Sequence, residues 1–84
     1  MKARVIVYPR EEILDPQGKA ICEALGRVGF DEVEEVRAGK SFDIELAVDS
    51  RREAEKRLNS MCESLLANTV IEDYEVQVFD GEAP

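Results

Sequence analysis

The strongest nucleophiles in this 84-residue sequence are two cysteines, Cys22 and Cys62, and no histidine stands anywhere to activate them. That absence removes a histidine general base, a Cys/His nucleophilic pair and a Cys/His zinc cluster within one chain. The two thiols fall in separate predicted helices, where free cysteine ordinarily packs as a small reduced hydrophobe. Carboxylates are plentiful, 19 Asp and Glu against 11 Lys and Arg, yet no spacing among them marks an acid/base couple. Gly39-Lys40 reads as a hairpin turn and leaves no phosphate-binding loop. The residue chemistry therefore points away from a catalyst. A net charge of -8 also argues against nucleic acid or an anionic membrane, both of which require a basic face.

The stretch ILDPQGKAI, residues 13–21, is the most pointed local signal. Asp15 is placed to cap a helix, Pro16 suits the first helical position, and the residue before a proline is pushed toward the extended conformation that a cap adopts. Gly18 then sits in the first turn, where it costs roughly 0.5–1 kcal/mol against alanine. Two explanations stand side by side. A partner's backbone approaches Gly18, with Gln17 and Lys19 offering polar contacts beside it, or the glycine packs against the chain's own hairpin. If the backbone there is simply helical, Gly18→Ala costs little or gains stability, and if the turn is a docking surface, Gly18→Leu leaves helical content and self-association intact while weakening capture of the partner.

The elements that must position this turn follow from the periodicity. Residues 3–8 alternate as a strand, and Ile21, Ala24, Leu25 and Val28 form a helical stripe stopped by Gly29. A weak strand is expected around Val33–Ala38, then the Gly39-Lys40 turn, then a strand carrying Phe42, Ile44, Leu46 and Val48 on one face. Ser50 and Glu53 have capping-box spacing, and Ala54, Leu58, Met61, Cys62, Leu65 and Leu66 trace a second stripe ending near Asn68. The segment YEVQVF, residues 74–79, is a last strand, and residues 81–84 read as a frayed end. The order β-α-β-β-α-β is the α+β, ferredoxin-like split arrangement, a four-stranded antiparallel sheet with both helices on one face, in a single domain spanning 1–84.

Such a sheet leaves one face open. Arg4, Ile6, Tyr8, Val36, Ala47, Gln77 and Phe79 are expected on it, of which Ile6, Tyr8, Val36 and Phe79 are the candidates for self-association. A chain this short buries only roughly 60–65% of its unfolded surface, which favours a homodimer or larger homo-oligomer. RNA binding is disfavoured, because the middle-strand segment GKSFDIEL offers one phenylalanine, core-facing, beside Asp43 and Glu45 instead of exposed stacking aromatics. A stand-alone small-molecule-binding regulatory domain is the alternative the topology leaves open, although Asp15 would repel an anion from the helix start. No apolar run approaches a membrane span and no signal peptide is visible, so a cytoplasmic location is expected.

Three longer stretches carry a family resemblance: LDPQGKA (14–20), GFDEVEEVRAGK (29–40) and EAEKRLNSMCESLLANTVIEDYEV (53–76). Together they resemble the PurS family, the small subunits of phosphoribosylformylglycinamidine synthase, across nearly the whole chain. Thr69 departs from the pattern, where proline is expected. The resemblance implies a non-catalytic subunit with no cofactor of its own, in a complex that converts formylglycinamide ribonucleotide, glutamine and ATP, with Mg2+, to formylglycinamidine ribonucleotide, ADP, phosphate and glutamate. In that family a glutaminase, PurQ, releases ammonia, a synthetase, PurL, uses it, and the small subunit dimerises, joins the two and aids ammonia transfer. Gln17, Gly18, Lys19, Asp31, Glu32 and Arg37 are the candidate partner contacts. The acids Asp31, Glu32, Glu34 and Glu35 are read either as a solvated face or as an edge that recognises a basic patch on PurL.

Overall fold

In the computed structural model, which describes residues 1–79, the chain forms β1 (Lys2–Pro9), α1 (Pro16–Arg27), β2 (Lys40–Glu45), α2 (Arg51–Met61), a single π turn (Cys62–Leu66) and β3 (Glu72–Phe79). The expected frayed end at 81–84 lies outside the described residues. The strands make one antiparallel sheet in the order β2-β1-β3, with Val5 opposite Phe42 on one side and Val76 on the other. That is the order the β-α-β-β-α-β arrangement gives its first, third and fourth strands. The expected second strand is the piece that differs, so the sheet has three strands instead of four.

The reason is visible in where residues 33–38 spend their backbone groups. The Ala38 N–H donates to Asp15 Oδ2 at 2.7 Å, the Val33 carbonyl accepts from the Cys22 thiol at 3.6 Å, and the Val36 carbonyl lies against Gly18. The segment is tied to α1, and none of these groups reaches the edge of β2. Val36 consequently belongs to this segment and not to the open sheet face on which it was expected.

Alternation on β1 sends Ala3, Val5 and Val7 inward, where they meet Ala54, Leu58 and Cys62 of the second helical stripe, with Ala67 and Val78 completing the buried set. Ser50 caps α2 by accepting the Glu53 N–H at 3.1 Å, as its spacing predicted. The π turn changes the end of that stripe. Its Ala67 N–H reaches back five residues to the Cys62 carbonyl at 3.1 Å, and the added residue turns Leu65 outward while Leu66 and Ala67 face the core. Leu65, expected on the buried stripe, is exposed.

The first helix does not join this core, which draws no residue from positions 8–41. One helix, not two, covers the inner sheet face. Residues 10–38 instead form an arm that leaves the sheet at the end of β1 and returns at the start of β2. Its two roots are adjacent, because Val7 pairs with Lys40 and a side-chain carbon on Gly39 would fall 2.5 Å from the Val7 carbonyl oxygen. The molecule measures 48 × 29 × 14 Å and is correspondingly elongated.

Candidate functional site

The root of the arm is built by two side chains that make many bonds each. Asp15 caps α1, its Oδ1 accepting the Gly18 N–H at 3.0 Å while Oδ2 takes Ala38 N–H. One carboxylate thus closes the helix start and fastens the returning segment to it. These bonds, Gly18 first and Ala38 second, hold the Asp15 carboxyl below its ordinary range, with the Arg37 charge adding in the same direction. Arg37 donates Nη2 to the carbonyls of Pro9 at 3.0 Å and of Arg10, and Nη1 to the carbonyl of Glu11 at 3.1 Å. A planar fork of donors suits three successive carbonyls as a lysine would not. Glu35 lies 3.6 Å from the same guanidinium.

Gly18 is buried inside this knot. An added β-carbon would sit 2.1 Å from the Val36 carbonyl oxygen and 2.6 Å from Asp15 Oδ2, so the close approach there is made by the chain's own returning segment. The expectations that Gly18→Ala costs little and that Gly18→Leu leaves the helix intact are corrected on this ground, since backbone and not a flexible tip stands in the way. Gln17 and Lys19 are exposed on either side. Lys19, with Leu14, Cys22 and Glu34, lines a shallow cleft of about 320 Å³ between α1 and the returning segment.

The six partner-contact candidates are therefore split. Gln17, Gly18, Lys19 and Arg37 gather at the root, with Arg37 committed to the knot. Asp31 and Glu32 lie beyond the other end of α1, which at about 1.5 Å per residue puts roughly 18 Å of helix between the groups. There α1 ends as Gly29 predicted: φ is 106°, Phe30 N–H reaches the Leu25 carbonyl at 2.9 Å and Gly29 N–H the Gly26 carbonyl at 3.2 Å.

The outer sheet face carries Ile6, Tyr8 and Phe79 as expected, but charge separates them. Between Phe79, beside Lys2, and Ile6 lies the row Asp43–Arg4–Gln77, in which Arg4 Nε donates to Asp43 Oδ1 at 2.8 Å. That bond lowers the Asp43 pKa and raises that of Arg4. Tyr74 on the inner face donates its hydroxyl to Glu63 Oε2 at 2.9 Å, which holds the phenol protonated above its usual range. Cys62 is buried, and desolvation raises its thiol pKa, the direction of an unreactive packing residue. Sequence reasoning passed over Leu14 and Phe30 of the arm and placed Val28 on the apolar stripe of α1, and all three are exposed.

A sequence profile of the PurS family, described as phosphoribosylformylglycinamidine (FGAM) synthase, matches residues 2–80. The chain is 51% identical over 77 residues to the phosphoribosylformylglycinamidine synthase subunit PurS of Mycobacterium leprae, covering 89% of this chain and 91% of that one. It is 44% identical over 77 residues to the Bacillus subtilis subunit, covering 92% and 90%. The crystal structure of Methanocaldococcus jannaschii PurS superposes with a TM-score of 0.85 at 38% identity, covering 96% of this chain and 98% of that one. A chain of the Thermotoga maritima PurLQS structure superposes at 0.83 with 33% identity, covering 90% and 93%.

Proposed function

The chain belongs to the PurS family of phosphoribosylformylglycinamidine synthase subunits, and from that membership we propose that it is the non-catalytic subunit that assembles the glutaminase PurQ with the synthetase PurL. The observation that carries this reading is the end-to-end likeness to a chain of the Thermotoga maritima PurLQS structure, a likeness to a whole small subunit and not to a domain of a larger one. Within the complex, formylglycinamide ribonucleotide, glutamine and ATP give formylglycinamidine ribonucleotide, ADP, phosphate and glutamate. No step of that reaction is assigned to this chain, and the nucleotide and Mg2+ belong to PurL. Its work is positional: holding the ammonia source and the ammonia consumer in one assembly raises their effective concentration without new chemistry.

The same proposal makes the subunit a homodimer or larger and places it in the cytoplasm with its partners. Among the described residues no helix is long and apolar enough to cross a membrane. A stand-alone regulatory domain is not favoured, because the family likeness runs along nearly the whole chain.

The test is reconstitution with PurL and PurQ from the same source. Glutamine-dependent formation of formylglycinamidine ribonucleotide is expected to require this chain, while ammonia-dependent formation by PurL proceeds without it. The chain alone is expected to hydrolyse neither glutamine nor ATP. Full glutamine-dependent turnover in its absence overturns the assembly role.

A further inference from the structure

The chain crosses between sheet and arm at two adjacent points, and each crossing takes a single residue. At the first, Pro9 still pairs with Glu72 of β3, and the next residue divides its backbone: the Arg10 N–H continues the sheet ladder to the Ile71 carbonyl at 2.9 Å, while the Arg10 carbonyl accepts the Ile13 N–H of the arm at 3.0 Å. At the second, Ala38 is bonded to Asp15 in the arm, Lys40 is paired with Val7 in the sheet, and Gly39 alone stands between them. Two short crossings side by side define an axis about which a body can turn, since hinges are built from a few residues at the ends of elements. Because the core draws no residue from positions 8–41, turning the arm uncovers no core surface. A notch of about 350 Å³, bounded by Tyr8, Glu11, Glu35, Arg37 and Asp73, lies at the same junction and leaves room for the movement.

Two guanidinium groups span this axis. Arg37, from the arm, donates Nη2 to the carbonyl of Pro9 at the end of β1 at 3.0 Å, while its Nη1 holds the Glu11 carbonyl at 3.1 Å. Arg10 donates Nη2 to the Thr69 carbonyl at 2.6 Å, in the loop that leads into β3, and its Nε lies 3.7 Å from Asp73 Oδ1. We propose that Arg10 and Gly39 form a hinge, and that the side chains of Arg10 and Arg37 lock it, positioning residues that fix the angle between arm and sheet where no packing does so. A planar fork of donors suits this task, because it fixes bond directions as well as distances. An arm whose direction is fixed before docking loses less freedom on assembly. That last consequence rests on the assembly reading, whereas the lock itself does not.

Residual dipolar couplings of the backbone amides test the lock on the full chain without attached probes. In the wild type one alignment tensor is expected to fit α1 and the sheet together. In the double variant Arg10→Ala, Arg37→Ala each body is expected to stay consistent within itself, while α1 requires a tensor of its own with smaller magnitude, the signature of a freed arm. Should loss of Arg37 unfold the arm, seen as loss of helical chemical shifts in α1, Arg10→Ala alone replaces the double variant, since that side chain bonds to Thr69 and Asp73 and to nothing within the arm. A separate tensor for α1 in the wild type, or a shared one in the variant, overturns the lock. Reconstituted with PurL and PurQ, the freed variant is expected to raise several-fold the concentration of subunit that gives half-maximal glutamine-dependent turnover, with the wild-type plateau regained at excess. An unchanged half-maximal concentration overturns the positioning role in assembly. Failure of the wild type to support glutamine-dependent turnover overturns the assembly reading alone, because the tensors are read without partners.

Discussion

Two glycines of α1 show how far a single position can be judged from sequence and where it needs the fold. Gly18 and Gly26 look equivalent, each a poor helix former with alanine the better choice. Space decides between them: a side-chain carbon on Gly18 meets the Val36 carbonyl oxygen at 2.1 Å, while one on Gly26 meets nothing within 4 Å. Gly18→Ala is therefore expected to destabilise by about 1–3 kcal/mol, the usual cost of forcing atoms into an occupied site, and Gly26→Ala to stabilise by about 0.5–1 kcal/mol. Chemical denaturation of the two variants beside the wild type checks both signs. Residue type alone indicates that something must approach the first turn of α1. That the approaching group is the chain's own carbonyl, 18 residues on, depends on a long-range return no local pattern encodes.

At the scale of elements, the arm holds its shape through Asp15 and Arg37. The bonds from Gly18 and Ala38 lower the Asp15 pKa from its ordinary 3.8. A carboxylate lowered by folding contributes stability that is present above its unfolded pKa and lost as pH falls through the folded one. Stability is thus expected to decline below about pH 4, with Asp43, lowered by its bond to Arg4, contributing in the same window. Asp15→Asn keeps an oxygen for the Gly18 cap but sets an amide N–H group against the Ala38 donor. It is expected to lower the melting temperature at neutral pH and flatten the acid decline, read from melting curves at stepped pH. Arg37→Ala strands three carbonyls and is expected to cost about 2 kcal/mol, with Arg37→Lys recovering little because one ammonium cannot repeat a three-carbonyl fork. The elements themselves were largely legible: the caps at Asp15 and Ser50, the stop at Gly29 and the alternation of β1 and β3 all follow from residue type. Residues 33–38 were not, because β-propensity describes a segment willing to pair and not the competitor, here α1, that takes its backbone groups first. Leu65 failed for a similar reason, since a π turn shifts a helical stripe by one residue and leaves no mark in the apolar spacing.

For the whole molecule, the antiparallel α+β arrangement read from the sequence holds, but the sheet has three strands where four were expected and one helix on its inner face where two were expected, and the difference is a matter of where one helix and the segment after it lie. A chain of 84 residues that keeps 10–38 out of its core has little apolar surface left to bury alone, and among the described residues its largest fully buried side chains are Leu58, Val5, Val7 and Cys62. So small a core offsets the conformational entropy of folding poorly, and the proposed self-association would supply the remainder. For a homodimer, as proposed, folding and association would become one equilibrium, in which the unfolded state is two chains and the native state is one particle. Mass action requires that such a native state gain about 1.4 kcal/mol for each tenfold rise in protein concentration. Spread over the unfolding entropy of two chains of this length, that is a rise in melting temperature of about 4 °C per decade. Calorimetric scans over two decades of concentration are expected to show this rise in the wild type. A melting temperature independent of concentration in the wild type would mean that the monomer is stable on its own small core and that self-association contributes nothing to folding.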